Sequence, residues 1–306
     1  MARSVSMYLG IDGGGTKTKA MLVDQNMRVL AVSEQGPSSI RTVPIEVSIQ
    51  HINQAIQDCR KQAPDTEITG VFAGLGDVTG AEDGAMVTAH LRQLAGLQTA
   101  NIAVKNDVYN AHAGALEGAA GIAIIIGTGS VAFGVDEQGR SHRAGGYSYK
   151  EGDLGSAYGL GKQALSVLGK ALDNRVSASP LTDALKAHFN LSSFMDVVAM
   201  YDATYTARTE VADLAKLVTR YAKDGDPNAL AIIETATDEL LLMIKAVDKS
   251  LSLENKAIGI IGSLGNADSP HRDRFIAKVL AYDARFSLFP AKQDPVFGAC
   301  VLAAKS

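Results

Sequence analysis

The chain has 306 residues, of which 46% are hydrophobic, and this length favours two domains with enough apolar material for a core in each. A net charge of -4 gives no reason to expect a nucleic acid or a membrane surface as a partner, because lysine and arginine are scattered along the chain. Two cysteines are too few for a disulfide framework or a Cys-x-x-Cys zinc site, and they suit a reducing cytosol. No signal segment precedes Asp12 and no run approaches the ~20 apolar residues of a membrane helix, so we expect a cytoplasmic protein.

The first predicted elements are two strands joined by a glycine-rich turn. The apolar run from Tyr8 to Ile11 predicts a buried strand, and the run from Ala20 to Val23 predicts the next. Between them lie Asp12, Gly13, Gly14, Gly15, Thr16, Lys17 and Thr18. Three consecutive glycines fit a turn that a ligand approaches closely, because their unblocked N–H groups can cradle phosphate oxygens, and Asp12 can hold Mg²⁺ through water. A glycine-rich hairpin without a ligand is the alternative.

The rest of the first half alternates between strands and helices. The pattern predicts strands at Val29–Val32, Ile68–Ala73 and Asn101–Val104, and helices at Ile45–Lys61, Ala85–Leu97 and Val108–Leu116. This order predicts an α/β fold with a mixed sheet. Asp107 follows the last of these strands, where a carboxylate could accept the proton of a hydroxyl in phosphoryl transfer. It could equally cap the helix that begins at Val108, and the sequence leaves both roles open.

The second half opens with a pattern similar to the first. A fully apolar strand, Ile122–Ile126, meets the turn Gly127-Thr128-Gly129-Ser130 and returns as Val131–Val135. This echo of the first hairpin suggests two halves of related topology, although any two hairpins look alike. If the halves are related, their turns could grip one polyphosphate from both sides of an interdomain cleft, which is a preferred place for ligands.

The remaining elements are mostly helical. The pattern predicts a helix ending at Leu172, helices near Pro180–Phe189, Glu210–Lys223 and Pro227–Leu251, a strand at Lys256–Ile261, a turn at Gly262–Asn266, a helix at Pro270–Tyr282, a short strand at Arg285–Phe289 and a last helix that Asp294 caps. The segment from Asp173 to Arg208 is predicted to be irregular and helical by turns, and its elements are not placed further. Asp153 lies in a glycine-dense loop, where it could bind substrate hydroxyls or serve only as a turn residue.

Five motifs, taken in order, resemble the N-acetylglucosamine kinase family. They are Ile11-Asp12-Gly13-Gly14-Gly15-Thr16-Lys17-Thr18, Asn106-Asp107, Ile126-Gly127-Thr128-Gly129-Ser130, Gly145-Gly146-Tyr147 with the run from Glu151 to Tyr158, and Ile261-Gly262-Ser263. That family is grouped with the benzoyl-CoA reductase activator-type ATPases, within the actin, hexokinase and heat-shock chaperone ATPase superfamily. The run Gly152-Asp153-Leu154-Gly155-Ser156-Ala157-Tyr158 is the most discriminating of the five.

The resemblance implies two ribonuclease H-like domains with mixed sheets flanked by helices, and ATP in the cleft between them. We expect an N-terminal domain over residues 1–117 and a nucleotide-binding domain over 118–306, with the option that the last helix packs back on the first domain. The implied activity is transfer of phosphate from ATP to the 6-hydroxyl of an amino sugar. The family is compatible with a homodimer.

The resemblance also implies roles for individual residues. The turn from Asp12 to Thr18 would hold the β- and γ-phosphates with Mg²⁺ at Asp12, and Gly127, Thr128, Gly129 and Ser130 would take the other side of the phosphates. Gly262, Ser263 and Gly265 would contact the adenosine. Asp107 would be the base. Asp153 and Ala157 would bind the sugar, and loops containing Ser39 and Gly76 would close the sugar pocket.

The chain departs from the family pattern on the sugar side. Ser39 and Val131 stand where family members carry asparagine, and Tyr147 stands where they carry tryptophan. Glucosamine is therefore as good a candidate acceptor as N-acetylglucosamine. Two other readings are an electron-transfer activator ATPase, which would need cysteines for an iron–sulfur cluster, and a non-catalytic sugar or nucleotide sensor, which would have no need of both Asp12 and Asp107.

Overall fold

The chain forms two compact units. The computed structural model describes residues 6–64, 67–149, 152–204 and 208–306. Unit 1 comprises Met1–Ala119 together with Ala291–Ser306, and unit 2 comprises Ala120–Pro290. The sequence places one boundary between residues 117 and 118, whereas the units divide after 119 and again after 290, so the C-terminal segment belongs to unit 1. Residues 1–5 of the N-terminal segment, Glu151 and residues 205–207 lie outside the described residues.

Over the described residues, each unit contains a five-stranded mixed sheet. The strands of unit 1 are β1 (Met7–Gly13), β2 (Thr18–Asp24), β3 (Val29–Gln35), β4 (Ile68–Leu75) and β5 (Asn101–Asn106). Those of unit 2 are β6 (Gly121–Ile126), β7 (Ser130–Val135), β8 (Ser141–Gly145), β9 (Ala257–Ile261) and β10 (Ser287–Pro290). The strand orders, β3-β2-β1-β4-β5 and β8-β7-β6-β9-β10, follow one pattern in which three strands are antiparallel and two more run parallel to the first.

Helices flank both sheets, which confirms the predicted α/β class. The helices of unit 1 are α1 (Ile45–Gln62), α2 (Ala81–Leu91), α3 (Val108–Leu116) and α12 (Pro295–Lys305). Those of unit 2 are α4 (Ala157–Leu172), α5 (Pro180–His188), α6 (Phe194–Thr204), α7 (Arg208–Asp213), α8 (Ala215–Lys223), α9 (Pro227–Leu251), α10 (Ser263–Asn266) and α11 (Pro270–Tyr282). None of the described helices combines the length and apolar character needed to span a bilayer.

Unit 1 buries apolar side chains on both faces of its sheet. On one face, the apolar stripe of α1 lies over β2 and β3, with Ile52, Ile56 and Cys59 buried. On the other face, α12 crosses β1 and β4. Gly10 permits this approach, because a Cβ atom there would lie 2.5 Å from the carbonyl oxygen of Val296. The last helix is therefore an integral layer of unit 1.

Helix α12 also supports α3. A Cβ atom at Gly298 would lie 2.2 Å from the carbonyl oxygen of Asn110 and 2.3 Å from the backbone nitrogen of Gly114, so the two helices touch backbone to backbone. The ammonium group of Lys292 lies 3.0 Å from the Glu117 carboxylate at the end of α3. This packing fixes α3, whose first turn follows the carboxyl end of β5.

Unit 2 has a larger core that α4, α9 and α11 share with the sheet. Leu165, Ile244 and Phe275 are fully buried in it. Helix α7 lies so close to α4 that a Cβ atom at Gly161 would stand 1.8 Å from the carbonyl oxygen of Val211. This contact fixes α7, whose first residue reaches the candidate site described below.

Several predicted boundaries were wrong for local reasons. The helix predicted from Ala85 begins four residues earlier, because the Asp83 carboxylate accepts the Thr79 N–H at 3.0 Å and secures an earlier first turn. The helix predicted over Glu210–Lys223 divides at Leu214, whose N–H bonds to the third residue before it. The predicted turn at Gly262–Asn266 contains α10, and no bounds were predicted for β8 or α6.

Candidate functional site

The carboxyl ends of three strands meet at one edge of the unit 1 sheet. Strands β1, β4 and β5 are parallel, and the register pairs Gly13 with Leu75 and Leu75 with Asn106. Because ligands in α/β sheets sit beyond the carboxyl ends of strands, this edge is the candidate site of unit 1. It brings Asp12, Gly76 and Asp107 together.

Asp12 is a half-buried carboxylate at the end of β1. Its Oδ1 accepts a hydrogen bond from Nδ2 of Asn110 at 2.8 Å. Burial raises the pKa of Asp12 to about 6, because it disfavours the charged form, and the Asn110 hydrogen bond opposes this shift. The negative charges of Asp107 and Asp294 raise the pKa further, and Lys19 lowers it. A cation at this edge would favour the ionised carboxylate.

The glycine-rich turn folds over the loop that follows β3. The carbonyl oxygen of Gly14 accepts the N–H groups of Ser38 and Ser39, both at 3.1 Å, and the Gly14 N–H donates to the carbonyl oxygen of Lys17 at 3.0 Å. A Cβ atom at Gly13 would lie 2.1 Å from the Ser38 hydroxyl. This contact, rather than flexibility alone, is one reason for a glycine at that position.

The polar residues of the turn differ in their surroundings. Thr18 is fully buried, and its hydroxyl donates to the carbonyl oxygen of Gly36 at 2.7 Å. Lys17 forms an exposed ion pair with Glu34 at 2.9 Å, and Thr16 is exposed. In this conformation Thr18 braces the loop, and its predicted contact with phosphate stays a prediction.

Asp107 occupies the residue before α3, but its side chain makes no capping hydrogen bond to the helix. A Cβ atom at Gly76 would stand 3.4 Å from Oδ2 of Asp107, so the loop after β4 lies directly beside this carboxylate. The N–H of Gly76 donates to the carbonyl oxygen of Gly13 at 2.9 Å. Asn106 holds the same loop by donating to the carbonyl oxygen of Gly76 at 2.9 Å. The side chain therefore does not cap α3, and the role of Asp107 as a base stays a prediction.

Ser39, predicted to face the sugar, belongs to a small hydroxyl and carboxylate group. Its hydroxyl donates to Asp77 and lies 2.8 Å from the hydroxyl of Thr42. Asp77 follows Gly76 directly, so this group joins the two loops that the sequence places at the sugar pocket.

In unit 2, the turn after β6 is held by the first turn of α4. The N–H of Ala157 donates to the carbonyl oxygen of Gly127 at 2.9 Å, and the N–H of Tyr158 donates to that of Thr128 at 3.2 Å. The Gly127 N–H bonds to the carbonyl oxygen of Gly129 at 3.0 Å within the turn. Three carbonyl oxygens of the turn are thus occupied, and an anion there would use backbone N–H groups other than that of Gly127.

Asp153 is nearly buried and ties this turn to its surroundings. Its Oδ1 accepts the N–H of Ser130 at 3.3 Å, and its Oδ2 lies 3.3 Å from the guanidinium of Arg208. The guanidinium also lies over the ring of Tyr149, 5.0 Å from its centre. A Cβ atom at Gly129 would stand 2.7 Å from Oδ2 of Asp153, so the glycine makes room for the carboxylate.

The segment after β9 lies against the same turn. Gly262 has a φ of 100°, and a Cβ atom there would stand 2.5 Å from the carbonyl oxygen of Ile126. Gly265 is buried beside Ile126, Ser263 is exposed, and Asn266 closes α10 by donating to the carbonyl oxygens of Ile260 and Gly262.

The structure therefore gathers the predicted residues into one group in each unit. Unit 1 holds Asp12 to Thr18, Ser39, Gly76 and Asp107, and unit 2 holds Gly127 to Ser130, Asp153, Ala157, Gly262, Ser263 and Gly265. Sequence reasoning missed Asn110 and Arg208. Asn110 could have been recognised, because a residue three positions after Asp107 lies on the same face of a helix. Nothing in the sequence marked Arg208, since its partner Asp153 is 55 residues away along the chain.

Comparison with known proteins decides the family. The profile of the BadF/BadG/BcrA/BcrD ATPase family matches residues 9–303. The chain belongs to this family. The match confirms the resemblance inferred from the motifs, and the fold is the predicted actin/hexokinase-like one.

Sugar kinases are among the proteins that the chain is similar to. It is 29% identical over 299 residues to an N-acetylmuramic acid/N-acetylglucosamine kinase of Clostridium acetobutylicum, covering 96% of this chain and 97% of that one. It is 28% identical to a glucosamine kinase of Vibrio cholerae, covering 78% and 80%. The structure of a candidate N-acetylglucosamine kinase from Chromobacterium violaceum superposes with a TM-score of 0.69 at 28% identity, covering 98% of this chain and 99% of that one.

Proposed function

We propose that this ATPase-family protein is a hexosamine kinase that transfers phosphate from ATP to the 6-hydroxyl of N-acetylglucosamine or glucosamine. As its relatives indicate, it is an enzyme of the sugar kinase class. The observation that carries the proposal is the meeting of Asp12 and Asp107 at one sheet edge, beside a glycine-lined turn. A carboxylate for the metal and a carboxylate for the acceptor proton are the two acidic groups that phosphoryl transfer to an alcohol uses.

Asp107 is the base in this proposal. Its carboxylate accepts the proton of the sugar 6-hydroxyl as that oxygen bonds to the γ-phosphorus and the bond to the ADP oxygen breaks. Its place at the end of β5, beside Gly76 and close enough to Asp12 to affect the pKa of that carboxyl, supports this assignment.

The residues of unit 1 fit a magnesium ion. The described residues contain no cluster of three or more His, Cys, Asp or Glu side chains that could enclose a metal. Mg²⁺ usually binds through one or two carboxylates together with substrate phosphates and water, so a single carboxylate at Asp12 is the expected donor set. When bound, the ion would neutralise charge on the phosphates.

The two glycine-rich turns each offer backbone N–H groups to the nucleotide. In unit 2, Thr128 is exposed and the carbonyl oxygens of Gly127 and Thr128 already accept bonds from α4, which supports phosphate binding by the Gly127–Ser130 turn. Gly262, Ser263 and Gly265 adjoin this turn, which supports their proposed contact with adenosine.

The sugar would contact Ser39, Gly76, Asp153 and Ala157, in addition to Asp107. Asp153 already accepts bonds from Ser130 and Arg208, but a carboxylate has about four lone-pair sites and can accept sugar hydroxyls as well. Because Ser39 and Tyr147 stand where family members carry asparagine and tryptophan, both amino sugars remain candidate acceptors.

The alternative as an electron-transfer activator finds no support in the cysteines. Cys59 and Cys300 are both buried, and burial raises their pKa values to about 11 and about 12. An iron–sulfur cluster requires thiolates that can reach the metal. A homodimer and a cytoplasmic location stay predictions.

A coupled assay of ADP release over a panel of hexoses and hexosamines tests the proposal. We expect turnover that depends on glucosamine or N-acetylglucosamine and on Mg²⁺, with phosphorus coupled to carbon 6 in the product. In Asp107→Asn, transfer should fall by two orders of magnitude or more while ATP binding is retained, because the base is lost. No stimulation by any hexosamine would refute the proposal, and full turnover by Asp107→Asn would refute the assigned base.

A further inference from the structure

We propose that Asn110 is a positioning residue that fixes the Asp12 carboxylate for the metal-bound nucleotide, an inference that rests on the proposed function. Asn110 lies one helical turn after Asp107 and is fully buried. Its Nδ2 donates to Oδ1 of Asp12 at 2.8 Å and to the carbonyl oxygen of Ile11 at 3.0 Å. One side chain of α3 thus holds both the end of β1 and its carboxylate.

The surroundings fix the orientation of the amide. Three acceptors surround Nδ2: Oδ1 of Asp12 and the carbonyl oxygens of Ile11 and Gly74, the last at 3.4 Å. The reversed amide would turn its own oxygen toward all three and lose every bond, so the NH₂ group must face Asp12. Orientation and distance together restrict rotation of the Asp12 carboxylate.

A buried asparagine at this position costs folding free energy that a purely structural residue would not. Oδ1 of Asn110 is buried and has no hydrogen-bond partner among the described residues. A buried acceptor without a partner destabilises a fold, whereas an apolar residue of similar size would avoid that cost. An asparagine at this position is better explained by what its NH₂ group does for Asp12.

Gly74 is shaped to accommodate the same side chain. A Cβ atom at Gly74 would lie between 2.2 and 2.4 Å from the amide atoms of Asn110. Strand β4 therefore has a glycine at the point where Asn110 reaches β1. A methyl group there would displace the amide without altering Asp12 or Asp107 themselves.

This relation allows a test with two different perturbations. Asn110→Leu removes the donor, and Gly74→Ala displaces it. In both variants we expect the Mg²⁺ concentration for half-maximal ATP turnover, and the dissociation constant of Mn²⁺ measured by electron paramagnetic resonance with ATP bound, to rise by roughly 10- to 100-fold, as when a partner of a metal ligand is removed. ATP binding without metal should change little.

The double variant gives the decisive result. Because both changes remove one interaction, their effects should not add, and the double variant should bind Mn²⁺ no more weakly than the worse single variant. The matched controls are Asn228→Leu, whose amide bonds to Ser177 and Ser179 away from Asp12, and Gly80→Ala, where an added Cβ meets nothing within 4 Å. Both controls should bind Mn²⁺ as the original chain does.

Unchanged Mn²⁺ binding in either folded variant, or additive losses in the double variant, would overturn the proposal. If Asn110→Leu fails to fold, Gly74→Ala alone decides. Absence of sugar-dependent turnover in the unaltered chain would refute the proposed function. In that case, Mn²⁺ binding in the presence of ATP would still test whether Asn110 positions the Asp12 carboxylate.

Discussion

The Asp153 carboxylate has a partner on each side: the Ser130 N–H and the Arg208 guanidinium, each at 3.3 Å. Ser130 closes the turn that we assign to the phosphates, and Arg208 begins a helix that packs closely on α4. A nearly buried carboxylate needs such partners, because burial of an unpaired charge is costly. Asp153 can thus order the turn that we propose for the phosphates, in addition to its proposed contact with the sugar.

We expect Arg208→Met to reduce kcat/KM for the amino sugar by about tenfold, because the variant loses one hydrogen bond to a charged group. Solvent weakens that hydrogen bond in the unaltered chain, so the loss is not larger. The side chain of Arg208 is 44% exposed, so thermal stability should change little. The measurement is steady-state kinetics beside thermal unfolding.

Arg175→Met is the matched control, because Arg175 forms an ion pair of similar type with the exposed Asp173 outside the site. Its kcat/KM should equal that of the unaltered chain. An equal loss in both variants would show that Arg208 has no special relation to Asp153.

The sequence reveals residues whose role depends on near neighbours. Asp12 and Asp107 could be predicted because each follows an apolar strand directly, and a carboxylate at a strand end is a local pattern. Arg208 could not be predicted because its ion pair joins distant segments. Asn110 could have been predicted as an inward-facing helix residue, but not its bond to Asp12, which depends on how α3 packs against β1.

Among the elements, α12 decides where α3 lies. We expect Gly298→Ala to lower the free energy of unfolding by about 1–3 kcal/mol, because its Cβ would overlap the α3 backbone at Asn110 and Gly114. It should also lower kcat, since α3 carries the first turn behind Asp107. Denaturation followed by circular dichroism, together with kinetics, measures both effects.

Gly80→Ala serves as the control for a glycine replacement in unit 1 that overlaps nothing. It should leave the unfolding free energy and kcat close to their original values. If Gly298→Ala loses stability but retains kcat, α12 stabilises unit 1 without positioning the catalytic helix.

Helix α1 was predicted within one residue from its apolar stripe, and α12 was predicted within one residue from its start signals, Asp294 and Pro295. The bounds of helix α6 were not predicted, although its segment was expected to be partly helical. Its exposed face includes apolar residues, Phe194 at 79% and Met195 at 68% exposure, so its sequence lacks the usual contrast between faces. The start of α2 was missed because the hydrogen bonds of Asp83 and Thr79, not hydrophobic periodicity, determine it.

At the scale of the whole molecule, the same strand order recurs in both units, and the glycine-rich turns follow β1 and β6, the equivalent strands. The similarity between the two hairpins therefore extends to the strand order of the two sheets. The units differ in their helical layers, and in the described part of unit 2 a histidine is fully buried. His271 lies in α11, and its Nε2 bonds to the carbonyl oxygen of Gly155 at 3.2 Å, next to the loop that carries Asp153.

His271 should make folding sensitive to acid. Burial lowers its pKa from 6.5 to about 4, so between these values the unfolded chain binds a proton that the folded chain does not. Stability from this residue is complete above pH 6.5 and falls as the pH drops toward 4, by about 2 kcal/mol at pH 5.

Urea unfolding of the unaltered chain and of His271→Gln at pH 7.5 and 5.0 measures the difference in unfolding free energy between the two pH values, which should shrink by that amount in the variant. His188→Gln, at an exposed position, should retain the full difference. Equal acid sensitivity in His271→Gln and the unaltered chain would assign the pH dependence to other groups.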